Sequence, residues 1–115
     1  MLEVYRQINQ RTVFPNHEID FGKLNLNWMH SVRIEMDEIR ELLRQSVRVS
    51  TYIRSAGQYE RIGYTNSHRK FIAVVFMLNE QTIVIDDVNL PDYEAIRIAL
   101  IRQFLEDTGE SLDER

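Results

Sequence analysis

Residues 71–78 read FIAVVFML, apolar at every position and rich in β-branched and aromatic residues. A run this short and this apolar reads as a strand buried on both faces, the interior strand of a sheet with cover on each side. Its neighbours follow from chain length. Asn79-Glu80 is a tight turn, and 81–88 returns with Thr82-Ile83-Val84-Ile85 at its centre. So short a connection makes an antiparallel pair, because parallel strands need a crossover of a dozen residues or more. Upstream, Val47, Val49, Thr51 and Ile53 alternate with Arg48, Ser50, Tyr52 and Arg54, the period of a half-buried strand. A turn at 55–58 leads into a further strand at 59–65, and 66–69 is a polar connection. The expectation is a four-stranded antiparallel meander.

Helical spacing flanks this block. Phe21, Leu24 and Trp28 share one face of a helix over 20–29, with Asp20 as its cap or favourable N-terminal charge. Met36, Ile39, Leu42 and Leu43 form the stripe of a second helix over 32–45, acidic early and basic late. After the strands, Pro91 suits a first helical position. Tyr93, Ile96, Leu100, Ile101 and Phe104 then mark a helix over 92–106 whose stripe is expected to pack on the sheet. Ile98 and Leu105 fall off that stripe and are candidates for a protein partner or a second copy. Thr108-Gly109 supplies a stop. The fold class is therefore α+β: two N-terminal helices, the meander sheet, and a C-terminal helix packed on it. At 115 residues it is read as a single domain over 1–115, with an N-terminal arm at 1–15 and a frayed tail at 110–115.

Charge is unevenly spread. Residues 42–70 hold six bases against the acid Glu60, whereas 79–115 hold ten acids against three bases. A basic middle suits an anionic partner, and an acidic end screens or repels one. No cysteine is present, which excludes disulfides and thiol chemistry and is compatible with a cytoplasmic setting. No apolar run is long enough to span a membrane, and the first residues lack the continuous apolar stretch of a secretory signal.

Few constellations carry chemistry. His17, His30 and His68 show no metal-ligand spacing, and no phosphate-binding or nucleophile motif occurs, so neither metal nor cofactor is expected. Asp86-Asp87 reads as a solvated strand end or as caps for the next helix. Arg48, Arg54 and Tyr52 alternate with the apolar positions and, with Tyr59 and Arg61 across the hairpin, would form an arginine–tyrosine sheet face able to hold phosphates and stack bases. An ordinary solvated face is the competing reading. His68, Arg69 and Lys70 add a second basic spot.

The stretch from Asp20 to Asn27, followed by His30-Ser31-Val32 and Glu35, resembles the opening of BrnT-like toxins, and 59–76 (YERIGYTNSHRKFIAVVF) is similar to the hairpin of that family. Lys23 and Asn27 keep the family spacing, His30 arrives one residue early, and Ser31 replaces the usual glycine. The resemblance implies a RelE/ParE-type fold and a metal-independent ribonuclease neutralised by an antitoxin. In that role Lys23, His30, Arg61 and Arg69 would handle charge and protons, while Arg48, Tyr52, Arg54 and Lys70 would bind RNA. After the last strand, where the family tends to be basic, this chain has Asp86-Asp87, which opposes RNA phosphate. Two expectations follow: a non-catalytic protein-binding module on this scaffold, a degenerate toxin or dimeric regulator, or the toxin ribonuclease itself. The misplaced acids favour the first.

Overall fold

The computed structural model describes residues 14, 16–44, 49–55 and 57–107, with backbone only at 49, 50, 52, 53 and 105–107. In chain order the elements are β1 (Glu18–Asp20), α1 (Leu26–Ser31), α2 (Met36–Arg44), β2 (Val49–Ser55), β3 (Gln58–Thr65), β4 (Lys70–Asn79), β5 (Thr82–Asn89) and α3 (Tyr93–Asp107). The fold is α+β, with one sheet ordered β1-β5-β4-β3-β2. β4 is interior, and its residues 72–76 are all buried, as the apolar run requires. β2 to β5 form the antiparallel meander. The expected four strands become five, because β1 pairs parallel to β5, with Ile19 opposite Ile83. A three-residue strand with a single apolar residue carries no periodicity to detect.

That strand displaces the first helix. The Asp20 carboxylate accepts from the Gly22 N–H at 2.7 Å and turns the chain, so Asp20 caps no helix. Asn25 takes that role, its Oδ1 accepting from the Trp28 N–H at 3.1 Å, and α1 starts at Leu26 rather than at 20. The expected face divides: Leu24 is buried, Phe21 half-buried and Trp28 exposed, although Trp28 Nε1 donates to the Val88 carbonyl at 2.6 Å. α2 also starts later than expected. Arg33 adopts a left-handed φ of 59° in the turn, and the Glu35 N–H donates to Glu38 Oε2 at 2.8 Å, closing the first turn of a helix that begins at Met36. Its stripe holds, with Ile39, Leu42 and Leu43 buried.

The main core lies between α1 and α2 and one sheet face, where Tyr59, Ile72, Val74, Phe76, Ile83 and Ile85 meet the helix residues. α3 lies against β2 and β3. There a smaller cluster forms from Ile62 and Ala73, paired across β3 and β4, and from Ala95 and Ala99 of α3. This reverses the expected orientation of α3. Ala99 and Gln103 are buried and Ala95 and Ile96 half-buried, while Tyr93, Leu100, Ile101 and Phe104 are exposed. Two alanines four residues apart let the helix sit close on a shallow surface, and its large side chains turn outward. Asp92 caps the helix, its Oδ1 accepting from the Ala95 N–H at 2.8 Å, so Pro91 precedes the cap instead of opening the helix. Among the described residues no helix is long and apolar enough to cross a membrane.

Candidate functional site

Arg61 is fully buried, contrary to the open basic face expected of it. Register decides this: Arg61 stands opposite Thr51 and Val74, on the face that α2 covers. Its Nε donates to Thr51 Oγ1 at 2.9 Å and one terminal nitrogen to the Leu42 carbonyl at 3.3 Å. The guanidinium lies 5.3 Å from the Phe14 ring centre and 6.0 Å from that of Phe76. Among the described residues its Nη2 has no hydrogen-bond partner. Burial pulls its pKa from the ordinary guanidinium value down to about 10, so it stays charged at neutral pH, but in this conformation it cannot reach an RNA phosphate.

The second basic spot is built into the α2 N-terminus. The buried Glu38 carboxylate receives the Thr65 hydroxyl at 3.3 Å and lies 3.3 Å from Lys70 Nζ. Lys70 also donates to the Arg33 carbonyl. Glu41 accepts the N–H groups of Asn66 and Ser67 at 2.6 and 3.2 Å, tying the β3–β4 turn to α2. His68 Nε2 lies 3.1 Å from Glu35 Oε2, and its Nδ1 3.0 Å from Ser67 Oγ. Glu35, Asp37 and His68 bring one ligand atom each within 4.8 Å of one another, a set of donors that could accept a divalent ion. Their separation in sequence hides this grouping from any spacing motif.

The remaining candidates are scattered. Lys23 is exposed before α1, His30 at its last turn, Arg54 near the end of β2, and Arg69 in the β3–β4 turn with φ 54°. The His30 carbonyl accepts from the Arg33 N–H, and the Arg33 carbonyl from Lys70, so the segments of His30 and Lys70 adjoin. Arg54 is remote from them. Ser55 pairs with Gln58 at the start of β3, whereas Arg69 follows its far end. Eight strand residues separate the two by about 24 Å. Arg48 lies outside the described residues, and Tyr52 is described in backbone only. Asp86 sits in a β-bulge, its Oδ2 accepting from Gln58 Nε2 at 3.0 Å, and Asp87 Oδ1 accepts from the Val88 N–H at 2.9 Å. Both acids serve the sheet, and neither caps α3.

The most pronounced surface feature is the outer half of α3. Tyr93 is 80% exposed, Phe104 64%, and Leu100, Ile101 and Ile98 about two-fifths each. Arg97 and Glu94 pair along this surface at 2.8 Å, which holds the Glu94 carboxyl below and the Arg97 guanidinium above their ordinary values. Ile98 is exposed on this surface. Leu105 is described in backbone only. No protein-family model, curated protein or solved structure matches the chain.

Proposed function

We propose that the chain is a non-catalytic protein-binding module on a BrnT/RelE-like scaffold, with the outer half of α3 as its contact surface. The inverted helix carries this reading. A helix that buries alanines and glutamine while exposing tyrosine, phenylalanine, leucine and isoleucines gains little from its own domain, and covering that surface would bury far more apolar area. The dispersal of the basic residues supports the same reading. A nuclease site needs cations converging on one phosphate with an acid and a base beside it, and here Arg61 is enclosed and Lys70 is engaged by Glu38.

The ribonuclease reading keeps one observation in its favour, the adjoining His30 and Lys70 segments with Arg69 next to them. The test is incubation of purified protein with RNA, alongside a His30→Ala/Arg69→Ala variant. No cleavage by either is expected. Cleavage by the parent that the double variant lacks would replace this proposal with the ribonuclease.

A further inference from the structure

Glu35, Asp37 and His68 each bring one ligand atom within 4.8 Å of the others. The two acids stand at the start of α2, and the imidazole comes from the β3–β4 turn, 33 residues after Glu35. A helix N-terminus favours acids, and Glu38 closes this one by accepting from the Glu35 N–H. Neither fact accounts for an imidazole set against the remaining two carboxylates. Glu35 and His68 alone would make an ordinary surface ion pair, with Nε2 3.1 Å from Glu35 Oε2. Asp37 goes beyond that pair. Its carboxylate is exposed and has no hydrogen bond or ion pair among the described residues, yet one of its oxygens belongs to the group.

The far side of the ring is held as well. His68 Nδ1 lies 3.0 Å from Ser67 Oγ and 3.8 Å from Oε1 of the buried Glu38. A metal-bound imidazole almost always donates its second N–H to such a group, which fixes the tautomer that leaves Nε2 its lone pair. Glu41 accepts the Asn66 and Ser67 N–H groups and anchors the turn that carries the ring. Charge agrees. Lys70 balances Glu38 at 3.3 Å and also donates to the Arg33 carbonyl. Glu35 and Asp37 keep two negative charges, which outweigh the roughly half positive charge of the helix N-terminus. We propose that Glu35, Asp37 and His68 Nε2 bind a zinc ion, which fastens the β3–β4 turn to α2. One nitrogen with two carboxylate oxygens suits zinc, whereas magnesium and calcium take oxygen sets. Tetrahedral zinc, with bonds of about 2.0 Å, sets its ligand atoms about 3.3 Å apart. The Glu35–His68 pair is already at that spacing. Asp37 has at most about 1.5 Å to close, within reach of an exposed side chain turning. Water takes the fourth position. α2 and α3 cover opposite faces of the sheet, so this site stands or falls apart from the protein-binding surface.

The test is calorimetric titration of the chelator-treated full chain with zinc chloride, with magnesium chloride as the contrast. One zinc ion should bind per chain, and magnesium at least about a hundredfold more weakly. Asp37→Asn and His68→Gln should each weaken zinc binding at least about tenfold, the loss that an outer-shell partner alone can cause. His17→Ala/His30→Ala should bind as the parent does. Asp37→Asn is decisive, because the Glu35–His68 ion pair survives it, and it carries the test alone should His68→Gln fail to fold. Zinc should also slow amide exchange at Asn66 and Ser67 in the parent at least about tenfold. A parent that binds no zinc overturns the proposal. So does binding that Asp37→Asn leaves unchanged or that the His17/His30 variant loses, since the ion then sits elsewhere. Zinc bound here without slowing those amides refutes the fastening of the turn.

Discussion

Arg61 carries a charge into the core with no ion pair among the described residues, and its position reverses the effect expected of substituting it. On an open face Arg61→Glu would change binding without unfolding. In the core it sets a carboxylate against the Leu42 carbonyl that the guanidinium now satisfies. Two acceptors facing each other out of water should cost at least about 3 kcal/mol, seen as loss of the cooperative thermal transition or a large drop in midpoint. Arg61→Met should cost less. It fills similar space and removes a charge that burial penalises, with its pKa pulled down to about 10, but it also removes the donor to the Leu42 carbonyl, and a net change within about 1–2 kcal/mol of the parent is expected. The pH dependence has a definite sign. From about pH 10 up to the ordinary guanidinium value the unfolded chain holds the Arg61 proton more tightly than the folded one, so parent stability gains as pH rises through that window. Below it, the cost of the buried charge is present in full. The stability of the Met variant relative to the parent in chemical denaturation should therefore fall from pH 9 toward about pH 11.5. A relative stability that rises over this range would refute the burial argument. Phe76, with no exposed surface and ring contacts to Phe14 and Tyr59, should lose about 3–5 kcal/mol on truncation to Ala.

At the scale of elements, the β4–β5 hairpin shows how far sequence reading reaches. The turn follows from a polar dipeptide between two apolar runs, but its backbone does not. Asn79 pairs with Thr82, so the loop is Glu80-Gln81, and Glu80 is held at φ 55°. Glycine adopts that conformation without a Cβ penalty, and Glu80 is exposed. Glu80→Gly should stabilise the domain by about 0.5–1 kcal/mol, read from the denaturation midpoint. A loss would mean that the Glu80 side chain makes a stabilising contact. Elements defined locally were legible: β4 from its unbroken apolar run, β2 and β3 from alternation, α2 from its stripe. Two things were not. β1 has only Ile19 to announce it. On β3, Glu60 and Arg61 put a charge on each alternating face, so periodicity could not say which face a helix covers. The same ambiguity misled the reading of α3, where spacing defines a stripe without saying toward which side it turns. For the candidate surface, this meant that Tyr93, Leu100 and Phe104, which are exposed, were assigned to the core.

For the molecule as a whole, the basic middle of the sequence does not become a basic patch among the described residues. Arg44 donates to the His17 carbonyl, Arg61 is enclosed, and Lys70 meets Glu38. Arg54 and Arg69 remain exposed at opposite ends of β3. Salt dependence distinguishes this arrangement from an assembled patch. A surface neutralising six phosphates of single-stranded RNA would lose affinity with a logarithmic salt slope of about −4, whereas one or two separated contacts give about −0.7 to −1.4. Fluorescence anisotropy of a labelled single-stranded RNA should therefore show weak binding at low salt, a shallow slope, and little association at physiological ionic strength. A slope near −4 would show that the bases converge after all, and the ribonuclease reading would gain the site it now lacks. Protein binding through the exposed half of α3 should behave differently in the same buffers. A contact made by its apolar side chains releases few counterions, so its dissociation constant should move by no more than about threefold between low and physiological salt. A complex that dissolves on adding salt would instead be held by charge, and the apolar face of α3 would not be its interface.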